Sequence, residues 1–273
     1  MAVTNSKLGR FGLFLANPMV AKMDKVEESG EPSATVGGIA GKTVFFLLLT
    51  LVGVTLFFVT NGFVSTEYVE TIEGYSVNLI EAGIAFGSLF LGIIGTFICF
   101  KFVRASFLFG SIYSLSQGYS LALLFHIFGS DYIFPGLLVL GITVLLVLSM
   151  LLLYRLHLVS VTKKFVSVLV TLIFVGILLA LGVYVMEMFP ATKTYADFII
   201  NNKAIVIGCA AFGIVVATLF LLVDFEVIDH SVEAHLPKKY EWLGAFALSF
   251  SIIELYLKIF NFLFQSMSNN SSN

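Results

Sequence analysis

The sequence predicts an all-α integral membrane protein with seven transmembrane helices, and composition is the first observation that indicates it. Of the 273 residues, 59% are hydrophobic and 12% are charged, whereas soluble domains average about 25% charged residues. The mean hydropathy is +1.01. So few charges could not cover the surface of a soluble globule, which excludes a soluble enzyme and a disordered chain. The net charge of −2 gives no field that would attract nucleic acid.

Seven long apolar segments are the second observation. A helix needs about 20 apolar residues to cross the hydrocarbon core, where stray backbone amides find no water. The first segment is not a cleavable signal, because a long polar and charged arm precedes it. The predicted spans are Thr43–Phe63, Ile80–Phe100, Ala105–Phe128, Phe134–Tyr154, Phe165–Met186, Ala204–Val223 and Trp242–Phe264.

The basic residues predict the orientation. Of the 15 lysines and arginines, all but three lie in the N-terminal arm or in the loops after spans two, four and six. Basic residues concentrate on the cytoplasmic side of membrane proteins. The exceptions are Lys193 and Lys203 on the opposite side and Lys258 within span seven. We therefore expect a cytoplasmic N-terminus and an external C-terminus.

Three regions follow from these spans. They are a cytoplasmic N-terminal arm (residues 1–42), a seven-helix transmembrane domain (43–264) and a short polar tail (265–273). Within the arm, Pro32, Gly37 and Gly38 are expected to break regular structure. The mildly apolar stretch Leu8–Val20 either lies on the membrane surface or belongs to a mobile tail with a short helix.

Ionisable residues inside the spans are the first candidate functional residues, because each costs about 2.5–3.5 kcal/mol at the bilayer centre. Glu254 is the deepest, and Lys258 follows four residues later on the same face of span seven. These two residues either neutralise each other as an ion pair, with Lys258 reaching outward, or contribute to an ion path. Asp224 closes span six at the cytoplasmic boundary or up to one turn inside it.

Gln117 is a polar residue midway along span three, next to Gly118 and among several serines. Small and hydroxyl residues let helices approach closely and hydrogen-bond across the contact. The preferred interpretation of this stretch is helix packing, and a water-lined path is the second.

Sequence signatures of enzymes are not found. There is no Walker loop, nucleotide fingerprint, HExxH motif or readable Ser/His/Asp spacing, so we expect neither an enzyme nor a cofactor. After span six, Glu226, His230 and Glu233 share a helical face, but without EF-hand spacing we interpret them as a solvated charged loop. Cys99 and Cys209 lie in apolar runs and are expected to be small buried hydrophobic residues.

Spans six and seven resemble a known family. The stretch LLVDFEVIDHSVEAHLPKKYEWLGAFALSFSIIELYLKIFNFL is similar to the C-terminal signature of the Bax inhibitor-1 family, which also covers bacterial YccA-like proteins. Glu241-Trp242 and Leu255–Phe260 resemble the bacterial branch, in which the loop ends in Glu-Trp and the last helix reads like LYLEIL. The stretches NPMVAK, GKTVFFLLLT and YRLHLVSVTKKF fit the same branch. The resemblance covers roughly Asn17–Leu263.

The resemblance implies a seven-helix fold with the last helix packed centrally, and a pH-sensitive leak of calcium through the membrane. In better-studied members two aspartates, one on helix six and one on helix seven, share a proton and gate the path. Asp224 matches the first aspartate. Ser251 occupies the matching position of the second, so the chain departs from the two-aspartate pattern. Glu254, one turn further along, is the alternative partner for Asp224, and Lys258 competes for it.

Three functions are open at this stage. The first is a calcium or cation leak of the Bax inhibitor-1 type, with an ion path or pH sensor formed by Asp224, Glu254, Ser251, Gln117 and Lys258. The second is a non-conducting scaffold that regulates other membrane proteins or proteolysis through its arm. The third is a proton-coupled carrier of small solutes.

The expected partners are the lipid bilayer, calcium ions, protons and, for a scaffold, other membrane proteins, but no nucleic acid. We expect a monomer in the bacterial plasma membrane, or in the endoplasmic reticulum membrane if the source is eukaryotic.

Overall fold

The computed structural model describes residues 18–23, 32–61, 69–72, 75–128 and 133–268. The helices are α1 (Pro18–Met23), α2 (Val36–Asn61), α3 (Leu79–Lys101), α4 (Ser106–Phe128), α5 (Ile133–Arg155), α6 (Lys163–Met188), α7 (Pro190–Asn201), α8 (Lys203–Glu233) and α9 (Glu241–Ser268). Short 3-10 turns precede α4 (Val103–Ala105) and α9 (Lys238–Tyr240). The antiparallel strands β1 (Val69–Ile72) and β2 (Tyr75–Asn78) form a hairpin between α2 and α3, in register from Val69 opposite Asn78 to Ile72 opposite Tyr75.

Each of the seven predicted spans coincides with one long helix among the described residues. Five stretches are long and apolar enough to cross a membrane, which supports a multi-pass membrane protein. The number of seven spans and the orientation remain predictions. The five stretches are Val36–Thr60, Phe134–Arg155, Lys163–Met188, Lys203–Glu233 and Lys238–Met267.

The last helix differs from the other four candidate spans in its burial. Its apolar window is 67% buried, whereas the windows in α2, α5, α6 and α8 are 17–28% buried. Large apolar side chains are exposed along α5 and α6, for example Leu145 and Leu179, as expected where helices face lipid. Helix α9 therefore exposes less of its apolar window than the other candidate spans do.

Helices α2 and α8 extend furthest beyond the spans predicted for them. α2 begins at Val36, so the expectation that Gly37 and Gly38 break regular structure is wrong. Gly38 has a packing role, because a Cβ at this position would lie 2.5 Å from the Oε1 atom of Glu241. The hairpin and α7 are additional elements that the sequence did not predict.

Asp224 does not close its helix, because α8 continues to Glu233, about 14 Å further at the helical rise. The predicted charged loop is therefore mostly helical. The helix ends where His235 adopts a left-handed conformation with φ 57°. The N–H groups of Leu236 and His235 then donate to the carbonyls of Ser231 and Val232, both at 3.0 Å, in a Schellman motif. Asp224, the first charged residue after the apolar run of α8, marks the end of that run but not the end of the helix.

Close packing of α2 against α4 determines where the polar residues of α4 lie. A Cβ at Gly53 would fall on the carbonyl oxygen of Leu115, and one at Gly118 on the carbonyl oxygen of Thr50. Such backbone approach requires small residues. They recur at every fourth position of one buried face of α4: Ser106, Gly110, Ser114, Gly118 and Ala122.

The chain forms two compact units. Among the described residues, the first unit comprises those of Asn17–Leu138 and Val227–Ile253, and the second those of Val139–Glu226 and Glu254–Asn273. The described parts of the predicted arm belong to the first unit, whereas most of the stretch Leu8–Val20 lies outside the described residues.

Candidate functional site

Asp224 is buried within α8, with only 2% of its surface exposed. The three residues before it, Leu221, Leu222 and Val223, are almost fully buried as well. A carboxylate in such surroundings is costly in a membrane and is retained most often for a function. Asp224 is therefore the strongest functional candidate among the five predicted residues.

Glu254 and Lys258 form the ion pair that their spacing predicted. The Nζ atom of Lys258 lies 3.1 Å from the Oε1 atom of Glu254, and the side chains are 39% and 45% exposed, respectively. Each charge is thus balanced by its neighbour one turn away on α9. Ser251, which the sequence resemblance matched to a second aspartate, is half-buried on the same helix.

Gln117 is buried in the first unit, on the helix that α2 approaches through Gly118. This contact agrees with the packing interpretation of the stretch. On the same helix, the hydroxyl oxygens of Ser106 and Ser114 are buried and have no hydrogen-bond partner. By contrast, Thr50 donates from its hydroxyl to the carbonyl four residues earlier, at 3.2 Å.

The five predicted residues are divided between the two units. Gln117 and Ser251 belong to the first, and Asp224, Glu254 and Lys258 to the second. Within the described residues, no group of three or more His, Cys, Asp or Glu side chains could hold a metal ion. The cluster of acidic and histidine residues after Asp224 therefore forms no metal site in the part of the chain that the structure describes.

A second site, which the sequence analysis did not find, lies at the start of α9. Glu241 is buried, and its Oε2 atom accepts a hydrogen bond from the Nζ atom of Lys42 on α2. The Oε1 atom of the same carboxylate accepts from the backbone N–H of Thr35 at 3.0 Å and from its hydroxyl at 3.4 Å. The N-terminal position on α9 also favours a negative charge, because it complements the helix dipole.

Aromatic rings enclose this ion pair on one side. The Trp242 ring has its centroid 4.7 Å from that of Phe107 and 5.7 Å from those of Phe45 and Phe46. The Nζ atom of Lys42 lies 5.0 Å from the centre of the Trp242 ring, within the range of a cation–π contact. We call Thr35, Lys42, Glu241, Trp242 and these three phenylalanines the Lys42–Glu241 cluster.

Backbone hydrogen bonds join the same two parts of the chain. The N–H of Ala34 donates to the carbonyl of Leu236 at 2.6 Å, and the N–H of Lys238 donates to the carbonyl of Pro32 at 2.7 Å. These bonds flank an isolated antiparallel bridge between Ser33 and Pro237. The segment before α2 is thus fixed to the segment before α9.

Helix α1 adds an apolar contact to the start of α9. Met19, Val20 and Met23 are almost fully buried, and a Cβ at Gly244 would meet the methyl group of Met23 at 2.9 Å. Helix α1, which contains most of the NPMVAK stretch, and the start of α2 therefore meet the start of α9, where Glu241 is 199 residues from Lys42 in the sequence. The sequence did contain one signal, namely opposite charges at the predicted cytoplasmic ends of two spans.

The chain is similar to a known family over most of its length. A family model described as Bax inhibitor 1 like matches residues 17–268, which includes α1 and both sides of the Lys42–Glu241 cluster as well as Asp224. No curated protein and no solved structure shows a match to the chain.

Proposed function

Because the chain belongs to the Bax inhibitor 1 like family, we propose that it forms a pH-sensitive leak for calcium and other cations in its membrane. In this proposal Asp224 is the carboxylate that both the cation and the proton reach. The observation that carries the proposal is the burial of an acidic side chain within a helix that is apolar enough to span a membrane.

The chemistry of a carboxylate supports this role. Ionised carboxylate oxygens are preferred ligands of hard cations such as calcium, and a protonated carboxyl group loses that attraction. One side chain can therefore supply both a cation contact and a response to pH. Carboxylates inside transmembrane helices recur along ion pathways and proton relays for this reason.

The proposal relies on Asp224 and not on a pair of Asp224 with Glu254. The Glu254 carboxylate is already paired with Lys258 at 3.1 Å, and the family's second aspartate is replaced by Ser251. We therefore expect a pH response that follows a single titrating carboxyl group, and not the coupled titration of two carboxyl groups that share a proton.

Calcium flux into proteoliposomes at several pH values tests the proposal. We expect a pH-dependent flux for the wild type and a changed, pH-insensitive flux for Asp224→Asn. The matched control is Glu254→Gln, which also removes one carboxylate from a span and is expected to keep the pH profile of the wild type.

Two outcomes would contradict the proposal in different ways. An Asp224→Asn profile identical to that of the wild type would remove Asp224 from the path. The wild-type protein, shown by circular dichroism to be helical after reconstitution, could also give no more flux than empty liposomes. That result would exclude conduction and favour the non-conducting scaffold.

The scaffold alternative needs a test other than deletion of the arm. Since Met19, Val20 and Met23 are buried, deletion of this segment would expose apolar surface and disturb the fold. Loss of function after such a deletion would therefore not identify the arm as a binding surface.

A further inference from the structure

Helix α7 is too short to cross a membrane. Its 12 residues extend about 18 Å at the helical rise, whereas the hydrocarbon core is about 30 Å thick. It nevertheless lies between α6 and α8, both of which are long and apolar enough to span. A single residue separates it from each of them, Phe189 before it and Asn202 after it.

Hydrogen bonds fix the turns at both ends of α7. The hydroxyl of Thr192 donates to the carbonyl of Met186 at 2.8 Å and lies 3.3 Å from that of Phe189. At the other end, the Oδ1 atom of Asn202 accepts from the N–H groups of Ala204 and Ile205 at 3.1 and 3.3 Å. The first turn of α7 is therefore bonded to the end of α6, and Asn202 caps the start of α8.

The sequence of α7 separates polar from apolar residues around the helix axis. At about 100° per residue, one side carries the polar residues Lys193, Thr194, Asp197 and Asn201. The opposite side carries Ala191, Tyr195, Ala196 and Ile199, together with Thr192, whose hydroxyl is bonded to the end of α6. Phe198 and Ile200 lie at the two edges between these sides. This is the pattern of a helix that lies between an apolar and an aqueous phase.

Only part of the apolar side is covered by protein. α7 packs against α6, and Ala196 is fully buried. Tyr195 and Phe198 remain 68% and 63% exposed. Two large aromatic side chains on a helix with fixed turns are thus left without a protein neighbour that covers them.

The surrounding surface indicates what covers these rings. The last turns of α6 expose Tyr184, Met188 and the following Phe189, next to the start of α7. Because α6 is a candidate span, its exposed apolar side chains face lipid. Aromatic side chains concentrate where the hydrocarbon core meets the headgroups, so this surface continues from the lipid-facing side of α6 onto α7.

We propose that the partner of α7 is the bilayer interface itself. The helix lies in the plane of the membrane at the end of α6. Tyr195 and Phe198 insert about 5–10 Å into the boundary between headgroups and acyl chains, and Lys193 and Asp197 face water. This inference rests on the membrane spans alone and is independent of ion conduction.

Depth-dependent quenching of a fluorescent label tests the proposal on the full chain. In a Cys99→Ala, Cys209→Ala background, single cysteines at Phe198 or Tyr195 are labelled with an environment-sensitive nitrobenzoxadiazole group. Lys193→Cys, on the polar side of the same helix, is the matched control. The protein is reconstituted into vesicles of phosphatidylcholine with a minor fraction of phosphatidylglycerol, and its fold is checked by circular dichroism.

We expect labels at positions 198 and 195 to emit at shorter wavelength than the label at 193. We also expect aqueous iodide to quench them several-fold less. A nitroxide near the lipid headgroup is expected to quench them more than one near the end of the acyl chain. Equal iodide quenching at positions 198 and 193 would overturn the proposal, as would stronger quenching by the deep nitroxide. Protection from iodide without quenching by either lipid nitroxide would show that protein, such as a second copy, covers the helix.

Discussion

Replacement of Lys42 by methionine tests whether the Lys42–Glu241 cluster holds α9 to the N-terminal segment. Methionine keeps most of the apolar volume of lysine and removes its charge. The Glu241 carboxylate, whose side chain is 3% exposed, would then keep only the hydrogen bonds from Thr35. Its Oε2 atom would lose its partner in a site that water barely reaches.

The size of the loss follows from burial. Removal of one partner from a buried ion pair costs about 3–5 kcal/mol, because the other charge is left uncompensated. The Lys42 side chain is 22% exposed, which admits some water and places the expected value near the lower limit, at about 3 kcal/mol. Loss of the cation–π contact with Trp242 is included in this figure.

Unfolding in mixed micelles of increasing SDS content measures the loss. The chain contains one tryptophan, and Trp242 lies inside the cluster, so its fluorescence reports this contact while far-UV circular dichroism reports the helices. The matched control is Lys238→Met, which removes the same charge from an exposed position near Glu241. We expect it to change stability by less than about 0.5 kcal/mol.

A double-mutant cycle with Glu241→Gln separates the pair from its surroundings. The double variant is expected to lose less stability than the sum of the single variants, with a coupling energy of about 1–3 kcal/mol. Equal stability of Lys42→Met and Lys238→Met, or a coupling energy near zero, would refute the reasoning.

Two further predictions concern packing in the first unit and use the same unfolding assay. Gly118→Ala places a Cβ on the carbonyl oxygen of Thr50, so we expect overpacking to lower the free energy of unfolding by about 1–3 kcal/mol. Gly141→Ala places a Cβ with nothing within 4 Å of it. Because alanine has the higher helix propensity, this variant is expected to raise the free energy of unfolding by up to about 1 kcal/mol. Met23→Ala leaves a cavity at a buried position and is expected to lower the free energy of unfolding by about 2–5 kcal/mol. A decrease of less than about 0.5 kcal/mol would contradict the packing of α1.

The long helices could be predicted from the sequence because each coincides with a continuous apolar run that has charged or turn residues at its two ends. The prediction Ile80–Phe100 differs from α3 (Leu79–Lys101) by one residue at each end. The end of α8 was placed too early because the first charge ends the apolar run, whereas the backbone turns only at His235. For the same reason the start of α2 was placed too late.

The Lys42–Glu241 cluster could not be predicted, because its partners are 199 residues apart in the sequence. Neither residue has a local signal: Lys42 counts as a cytoplasmic charge and Glu241 as the first residue of a helix. The ion pair Glu254–Lys258 was one of two alternatives that the sequence left open, and it could be anticipated because one turn of helix separates the two residues. Helix periodicity thus predicts contacts within a helix, but contacts between helices depend on packing that a single sequence does not record.

Three of the stretches that carry the family resemblance belong to a different unit from Asp224, the residue that carries the proposed activity. The NPMVAK stretch, the start of α2 and the Glu-Trp pair meet in the first unit, whereas Asp224 belongs to the second. These stretches therefore relate directly to the attachment of the N-terminal segment to α9, and only indirectly to conduction. A lower flux in Lys42→Met would therefore not implicate Asp224, because this variant changes the cluster and leaves Asp224 unchanged. Asp224→Asn is the decisive variant because it changes the proposed path and leaves every contact of the cluster in place.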